Sequence, residues 1–349
     1  MIAREEFIAR HAIANVLALH SRGVDRADAH LLGAAYHPDA TVDYGFFAGP
    51  ATTLVGILAD AQKGSLPTAH RTSNCWIRVN GNAATSESYV IAYVEEADLQ
   101  RWVYGRYLDR HECRDGEWRI AHRAYVMDGN SNRPSTAART DPPVAFDHYV
   151  PEGGKGAADA GRALLAFHAA AAKGTPPMTA VATDREAALD AALSRAEIHD
   201  LCMAYARGVD RADESLLASI FTEDSTVISG VVNGSGKDFA RDICAFVSAN
   251  LEMCFHSVAN EWIDVRGDEA VGEHYALAQM VQAGTEVLTG GRYIDRYVRR
   301  DGKWLILSRT FVADWNHSHP STMQRDGFYE ALSVRGCFGR EDPIYAHWG

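Results

Sequence analysis

Asp25, His70 and Arg123 are residue types that together can do acid–base chemistry, and Asp210, His256 and Arg309 stand at the matching positions further along the chain. A carboxylate that orients an imidazole makes a general base near neutral pH, because histidine titrates closest to that range. A guanidinium nearby can hold an oxyanion or a departing group. Taken singly, each residue has a plainer explanation. Asp25 and Asp210 follow Gly23 and Gly208 where a first helix ends, so either could cap the next helix or pair with a neighbouring Arg. His70 and His256 precede strands rich in Trp and Ile, where a histidine is more often a core residue. Arg123 and Arg309 lie five residues after Trp118 and Trp304, and a strand Arg is usually solvated or paired with an acid across the sheet. The recurrence of all three together favours chemistry.

That recurrence belongs to an internal duplication. Arg22-Gly23-Val24-Asp25-Arg26-Ala27-Asp28 returns letter for letter as residues 207–213, an offset of 185. After one inserted residue the offset is 186, and His70, Asn74, Trp76, Glu87 and Tyr89 map onto His256, Asn260, Trp262, Glu273 and Tyr275. Gly105-Arg106-Tyr107 and Asp109-Arg110 become Gly291-Arg292-Tyr293 and Asp295-Arg296, and Asp128 with Asn130 answers Asp314 with Asn316. The chain therefore divides into a first domain at 1–135, an Ala/Gly/Pro-rich linker at 136–183, a second domain at 184–320 and a tail at 321–349.

The elements that must position these residues follow from periodicity. Ile13, Val16, Leu17 and His20 fall on one face of a helix predicted over 5–20, and Ile198, Leu201, Cys202 and Tyr205 repeat the pattern. A short helix follows over 27–35. From Trp76 the chain alternates, and Asn80-Gly81 and Asp115-Gly116 are strong hairpin signals. Helices followed by a run of strands predict an α+β fold, with helices on one face of a curved antiparallel sheet. Residues 157–173 of the linker read as an Ala-rich helix, and both linker and tail follow a last strand, over whose open end they could fold back.

The spacing of R-G-V-D, H-x-x-x-N-x-W, G-R-Y-x-D-R and D-G-x-W resembles the SnoaL-like branch of the NTF2-like superfamily. That branch includes polyketide cyclases, ketosteroid isomerase, scytalone dehydratase, hexachlorocyclohexane dehydrochlorinase and formaldehyde-releasing lyases of lignin-derived diarylpropanes. The resemblance covers both repeats and implies a cone of curved sheet closed by helices around an apolar pocket, with no cofactor. It also implies that Asp25 and His70 form a proton-abstracting dyad with Arg123 beside it, and that Asp210, His256 and Arg309 do the same. Dehydrochlorinase-like members add a Lys five residues before the Asp. Here that position is His20 in one copy and Tyr205 in the other, which argues against loss of chloride and suits protonation of a departing hydroxyl or binding of a phenol. Tyr44, Asn74, Trp76 and Arg106, with Tyr205, Asn260 and Trp262, are the candidate substrate contacts.

Bulk properties exclude other classes. A net charge of -12 with no basic patch repels a phosphate backbone, so nucleic-acid partners are not expected. No run approaches the roughly 18 apolar residues of a membrane span. Glu5 and Glu6 argue against a signal peptide, and six cysteines without a C-x-x-C pair suit reduced thiols in cytoplasm rather than a disulfide framework or a zinc site. Gly234-Ser235-Gly236-Lys237 lacks the Ser or Thr that a phosphate loop needs after its Lys and reads as a strand turn. His317 and His319 have H-x-H spacing without a carboxylate cluster, so no metal is expected. The expectation is a cofactor-independent lyase that eliminates water or formaldehyde from a small hydroxylated aromatic compound. The covalent pairing suggests an internal pseudo-dimer, open to homo-oligomers. The alternatives are an isomerase or cyclase using the same base, and a non-catalytic binding or association module.

Overall fold

A computed structural model describes residues 4–66, 68–135, 153–162, 185–324, 326 and 336–348. The chain forms two compact units. Of the described residues, one unit holds those within 4–135, 153–162, 185–197 and 259–275, and the other those within 198–258 and 276–348.

The first repeat runs α1 (Arg4–Asp25), α2 (Ala29–Ala34), β1 (Tyr36–Asp43), β2 (Ala48–Pro50), α3 (Ala51–Gln62), β3 (Thr68–Asn80), β4 (Ala83–Glu95), β5 (Leu99–Arg114) and β6 (Glu117–Pro134). Its sheet has the order β2-β1-β6-β5-β4-β3. The predicted antiparallel strands are β3 to β6, but β1 lies parallel to β6, so the sheet is mixed. The reason is α3, which carries the chain from β2 near one edge to β3 at the other, so the meander returns running in the direction of β1.

That helix was not legible as one. Its Thr, Val and Gly residues are mediocre helix formers, and it holds because Ala51, Leu54, Val55 and Leu58 pack on a core with Val16, Leu32, Val42 and Ile120. Each fully buried Leu or Ile there stabilises the fold by about 1.5–3 kcal/mol. The predicted helix over 27–35 is realised as α2, capped by the Asp28 side chain, which accepts from Leu31 N at 3.0 Å. Gly23 is required where α1 crosses α2, since a Cβ there would come within 2.6 Å of the Leu32 backbone nitrogen.

The second repeat follows the same plan: α4 (Arg185–Asp210), α5 (Glu214–Ser219), β7 (Phe221–Ile228), β8 (Asn233–Gly234), α6 (Gly236–Asn250), β9 (Met253–Arg266), β10 (Glu269–Gln282), β11 (Thr285–Arg300) and β12 (Lys303–Pro320). Its sheet order is β8-β7-β12-β11-β10-β9. The glycine-rich stretch predicted as a strand turn is the start of α6: Ser235 caps it, and Gly236 sits too close to Phe221 for any side chain.

The linker helix predicted over 157–173 lies mostly outside the described residues; what is described is a 3-10 turn, Gly156–Ala158, followed by helical residues 160–162. Gly156 N donates to Arg26 O at 2.7 Å, and in the tail Gly339 N donates to Arg211 O at 2.6 Å. Linker and tail thus each dock one turn on the carbonyl that follows the motif aspartate. The tail then forms α7 (Pro343–Trp348).

Candidate functional site

Asp25 occupies the last turn of α1, where the helix dipole disfavours an acid, and Ala27 ends the helix at φ 52°. Capping of α2 falls to Asp28 three residues on, which leaves the fully buried Asp25 carboxylate to other partners. Those partners lie on β3. Asp25 Oδ2 accepts from the backbone N–H of His70 at 2.8 Å, and Oδ1 accepts from His70 Nδ1 at 2.6 Å. Thr68 Oγ1 adds a third donor at 3.1 Å. Burial by itself would raise the Asp25 pKa, but the charge and hydrogen bonds of His70 outweigh it and hold the carboxyl below its usual range. An ionised Asp25 fixes the proton on Nδ1 and leaves Nε2 as the nitrogen able to take a proton from a substrate.

Around this dyad the first repeat assembles a tyrosine cluster. His20 is buried, meets the rings of Tyr36 and Tyr107 edge-on at 5.6 Å, and has Tyr44 Oη 3.4 Å from its Nε2. Tyr44 in turn stacks on Tyr125 at 5.8 Å. Burial, with Arg123 and His70 close by, holds the His20 pKa well below the ordinary imidazole value. His20 is therefore neutral, a hydrogen-bonding group that suits binding of a phenol, the second of its two expected roles, better than protonation of a departing hydroxyl. Burial also raises the phenols of Tyr36, Tyr44 and Tyr107, which stay protonated.

Arg123 is fully buried, and its direct cross-strand neighbour on β5 is Asp109. Nε and Nη2 each donate to that carboxylate at 2.7 Å, and the guanidinium lies 4.0 Å from the centre of the Tyr107 ring. The Arg is thus the acid-paired strand residue of the plainer reading, yet Nη1 has no hydrogen-bond partner. A buried donor left over in this way is the part of Arg123 that a bound oxygen can satisfy.

The second repeat reproduces the dyad. Asp210 accepts from His256 N at 2.8 Å and from His256 Nδ1 at 2.6 Å, and Arg309 pairs with Asp295 at 2.7 Å while lying 4.0 Å from the Tyr205 ring centre. Its surroundings differ. Tyr205 stacks on Phe239 of α6, and a cavity of about 70 Å³ opens beside His256, walled by Val209, Phe239, Ile243, Val247, Tyr293 and Phe311 among others. Cys254 stands where the first repeat has Thr68, 3.8 Å from His256 Nδ1. Burial opposes charge on His256, but the Cys254 sulfur and the Asp210 carboxylate overcome it and push the pKa up to about 10. Burial pushes the Cys254 thiol up as well, so near neutral pH it carries no charge and the Asp210 carboxylate is what favours the protonated form of His256. Asp210, Cys254 and His256 also place ligand atoms within 4.8 Å of one another, a set suited to a soft divalent cation once the proton shared by Asp210 and His256 has left.

Not every candidate comes to the dyad. Asn74 adopts φ 48° at a bulge that shifts the register of β3 between Ser73 and Trp76. One extra residue turns Trp76 to the face shared by Glu87, away from the face of His70 and Thr72. Arg106 lies on that outer face too, held by Asp128 at 2.8 Å and Glu87 at 2.9 Å. Asn74, Trp76 and Arg106 are thus corrected from substrate contacts to outer-face residues. Their counterparts Asn260 and Trp262 are buried and do not line the cavity beside His256. Conversely, Thr68, Tyr36, Tyr107, Tyr125, Cys254 and the α6 side chains were missed. Tyr107 and Asp109 were within reach, because alternation in Gly-Arg-Tyr-Leu-Asp puts both opposite Arg106.

The SnoaL-like domain family matches residues 5–124 and again 190–310. The chain belongs to that family. This SnoaL-like chain is 30% identical over 132 residues to the gamma-hexachlorocyclohexane dehydrochlorinase of Sphingobium indicum, a match that takes in 36% of this chain and 85% of that protein. Among solved structures, a type 2 hexachlorocyclohexane dehydrochlorinase is 26% identical, covering 40% of this chain and 97% of the other at a TM-score of 0.36. The type 3 enzyme from Novosphingobium barchaimii is 27% identical, covering 39% and 95% at a TM-score of 0.35. Both copies are thus SnoaL-like, NTF2-like α+β domains in tandem. Among the described residues no helix is long and apolar enough to cross a membrane.

Proposed function

We propose that the chain is a lyase that needs no cofactor and eliminates water or formaldehyde from a small hydroxylated aromatic compound by acid–base chemistry. The observation that carries this reading is the two-point grip of Asp25 on His70, at 2.6 Å to Nδ1 and 2.8 Å to the backbone nitrogen. That grip orients Nε2 as the base that takes a proton. The departing oxygen is met by neutral hydroxyls of the tyrosine cluster and by Arg123 Nη1, whose charge is already balanced by Asp109. Likeness to a dehydrochlorinase supports the first half of the reaction, since loss of HCl also begins with proton removal. The neutral His20 at the fourth position suits an oxygen leaving group and a phenolic ring.

The two sites are proposed to be unequal. His256, whose pKa is raised with Asp210 and Cys254 beside it, is the poorer base of the two, and turnover is assigned to the first repeat. The cavity beside His256 gives the second repeat room for a small ligand, which weighs against a purely structural role for that dyad alone. An isomerase or cyclase would use the same base without a leaving group. A screen of hydroxylated aromatic monomers and dimers, read by product mass and formaldehyde release, separates these readings. Wild-type turnover in the doubly substituted His70→Ala, His256→Ala chain would sink the dyad mechanism.

A further inference from the structure

The outer face of the first sheet is exposed, yet it keeps the residues of its buried twin. Trp76 is 62% exposed and Tyr89 48%, whereas Trp262 is 3% and Tyr275 2%. Asp128 is exposed beside them and Glu87 and Arg106 are half-buried, while Glu273, Arg292 and Asp314 are buried. All five are the same residue type in both copies. Glu87, Arg106 and Asp128 hold one another, but Trp76 and Tyr89 face water, where side chains can change at little cost, and their retention calls for something that covers them.

What covers the twin is visible within the first compact unit, to which 259–275 belongs. The Asn260 side chain bonds the outward backbone groups of edge strand β3, accepting from Thr72 N and donating to His70 O. Asn15 of α1 brackets Ile263, accepting from its N–H at 3.0 Å and donating to its carbonyl at 3.3 Å. Arg22 reaches Glu273 at 3.4 Å. Strand β3 and helix α1 thus form a socket, and the bulge at Asn260 is its plug.

The chain holds one more of each. Asn74 carries the same left-handed bulge as Asn260, at φ 48° against 52°, and is exposed. Among the described residues the second socket, on α4 and edge strand β9, is open: Phe255 is 54% exposed where Ala69 is 7%, and Met203 is 38% where Ala18 is 3%. Charges match as well, since Arg207 stands in the place of Arg22 and Glu87 in that of Glu273.

We infer that the chain associates head to tail with a second copy of itself, the outer face around Asn74, Trp76 and Glu87 of one chain seating on α4 and β9 of the next. The Asn74 amide then bonds the backbone at His256 and Val258, and Glu87 meets Arg207. The outward hydrogen-bonding groups of an edge strand are thereby paired rather than left open to indiscriminate association. Such a contact is heterologous, joining two different patches.

Sedimentation of the full chain tests this. The wild type is expected to be oligomeric, and Trp76→Glu and Phe255→Glu, both at exposed sites, are each expected to leave at most a monomer with an unchanged circular dichroism spectrum. Mixed one to one, the two variants are expected to form a dimer, because each keeps the patch that the other has lost. Should either spectrum change, Tyr89→Lys and Met203→Glu serve as the second pair. A monomeric wild type, an oligomer indifferent to both substitutions, or a mixture that stays monomeric overturns the pairing; the last outcome would mark a like-to-like contact instead.

Discussion

Asp25 holds His70 by both carboxylate oxygens, one on the ring and one on the backbone, so the imidazole is fixed in tautomer and in position at once. The same pair of bonds joins Asp210 to His256. An amide at position 25 can keep the shape of this contact but not its charge. Asp25→Asn is expected to leave a folded chain whose turnover falls by about 10²–10⁴-fold through loss of the favoured tautomer. Turnover within a factor of about two of wild type would show that the aspartate does not orient the base.

The two histidines are expected to contribute unequally. Near pH 7, His70→Ala should lower turnover by at least about 100-fold, while His256→Ala should leave most of it. Steady-state rates of the two single variants on one substrate decide this, and the reverse ranking would move catalysis to the second repeat.

Cys254 beside His256 has a readable consequence. The His256 imidazole should titrate near 10, and Cys254→Thr, which copies Thr68 of the first repeat, should bring that value down. Because the folded pKa is raised, the stability this group contributes is complete below the unfolded value of about 6.5 and is lost as pH rises through about 10. Proton-resolved NMR of the histidine rings measures the titration, and an unshifted His256 would contradict the electrostatic account.

At the acid end the sign reverses. Asp25 and Asp210 are held below their ordinary range, so their contribution is present above roughly pH 4 and is lost as pH falls through their folded-state values. Thermal melting is expected to drop steeply below about pH 4 in the wild type. The drop should be shallower in the Asp25→Asn chain, which starts less stable by about 3 kcal/mol because a buried charged partner has been removed. Parallel curves would mean that the acid transition lies elsewhere.

Close helix contact explains the glycine that precedes the dyad. Gly23→Ala would drive a Cβ to 2.6 Å from the Leu32 backbone nitrogen, whereas Gly208→Ala would meet the Leu217 side chain at 3.0 Å. The first should destabilise by about 1–3 kcal/mol and the second by less, because the approach at Gly208 is looser and needs a smaller shift. Denaturant titration of both variants checks the order.

Much of this molecule was legible in its letters. The identical R-G-V-D segments, the helix periodicity around His20 and Tyr205, and the Asp-Gly hairpins gave the duplication, the α+β class and the Asp, His and Arg set. Local propensity and period two are properties of neighbours in sequence, and those residues obey them. Helix α3 was hidden because packing, not propensity, stabilises it, whereas α6 carries a Ser235 cap and an apolar stripe at Phe239, Ile243 and Val247 behind glycines that read as a turn.

Only the tertiary structure decided which way the remaining candidates face and what charge they carry. One extra residue at Asn74 breaks the alternation of β3, and so Trp76 turns to the outer face with Arg106 although the motif places both near His70. Burial keeps His20 neutral, while the Asp210 carboxylate and the Cys254 sulfur, brought to His256 only by folding, raise its pKa. Side-chain type is fixed by the sequence, but side-chain facing depends on register, and protonation depends on the dielectric and the charges that folding brings within a few ångströms.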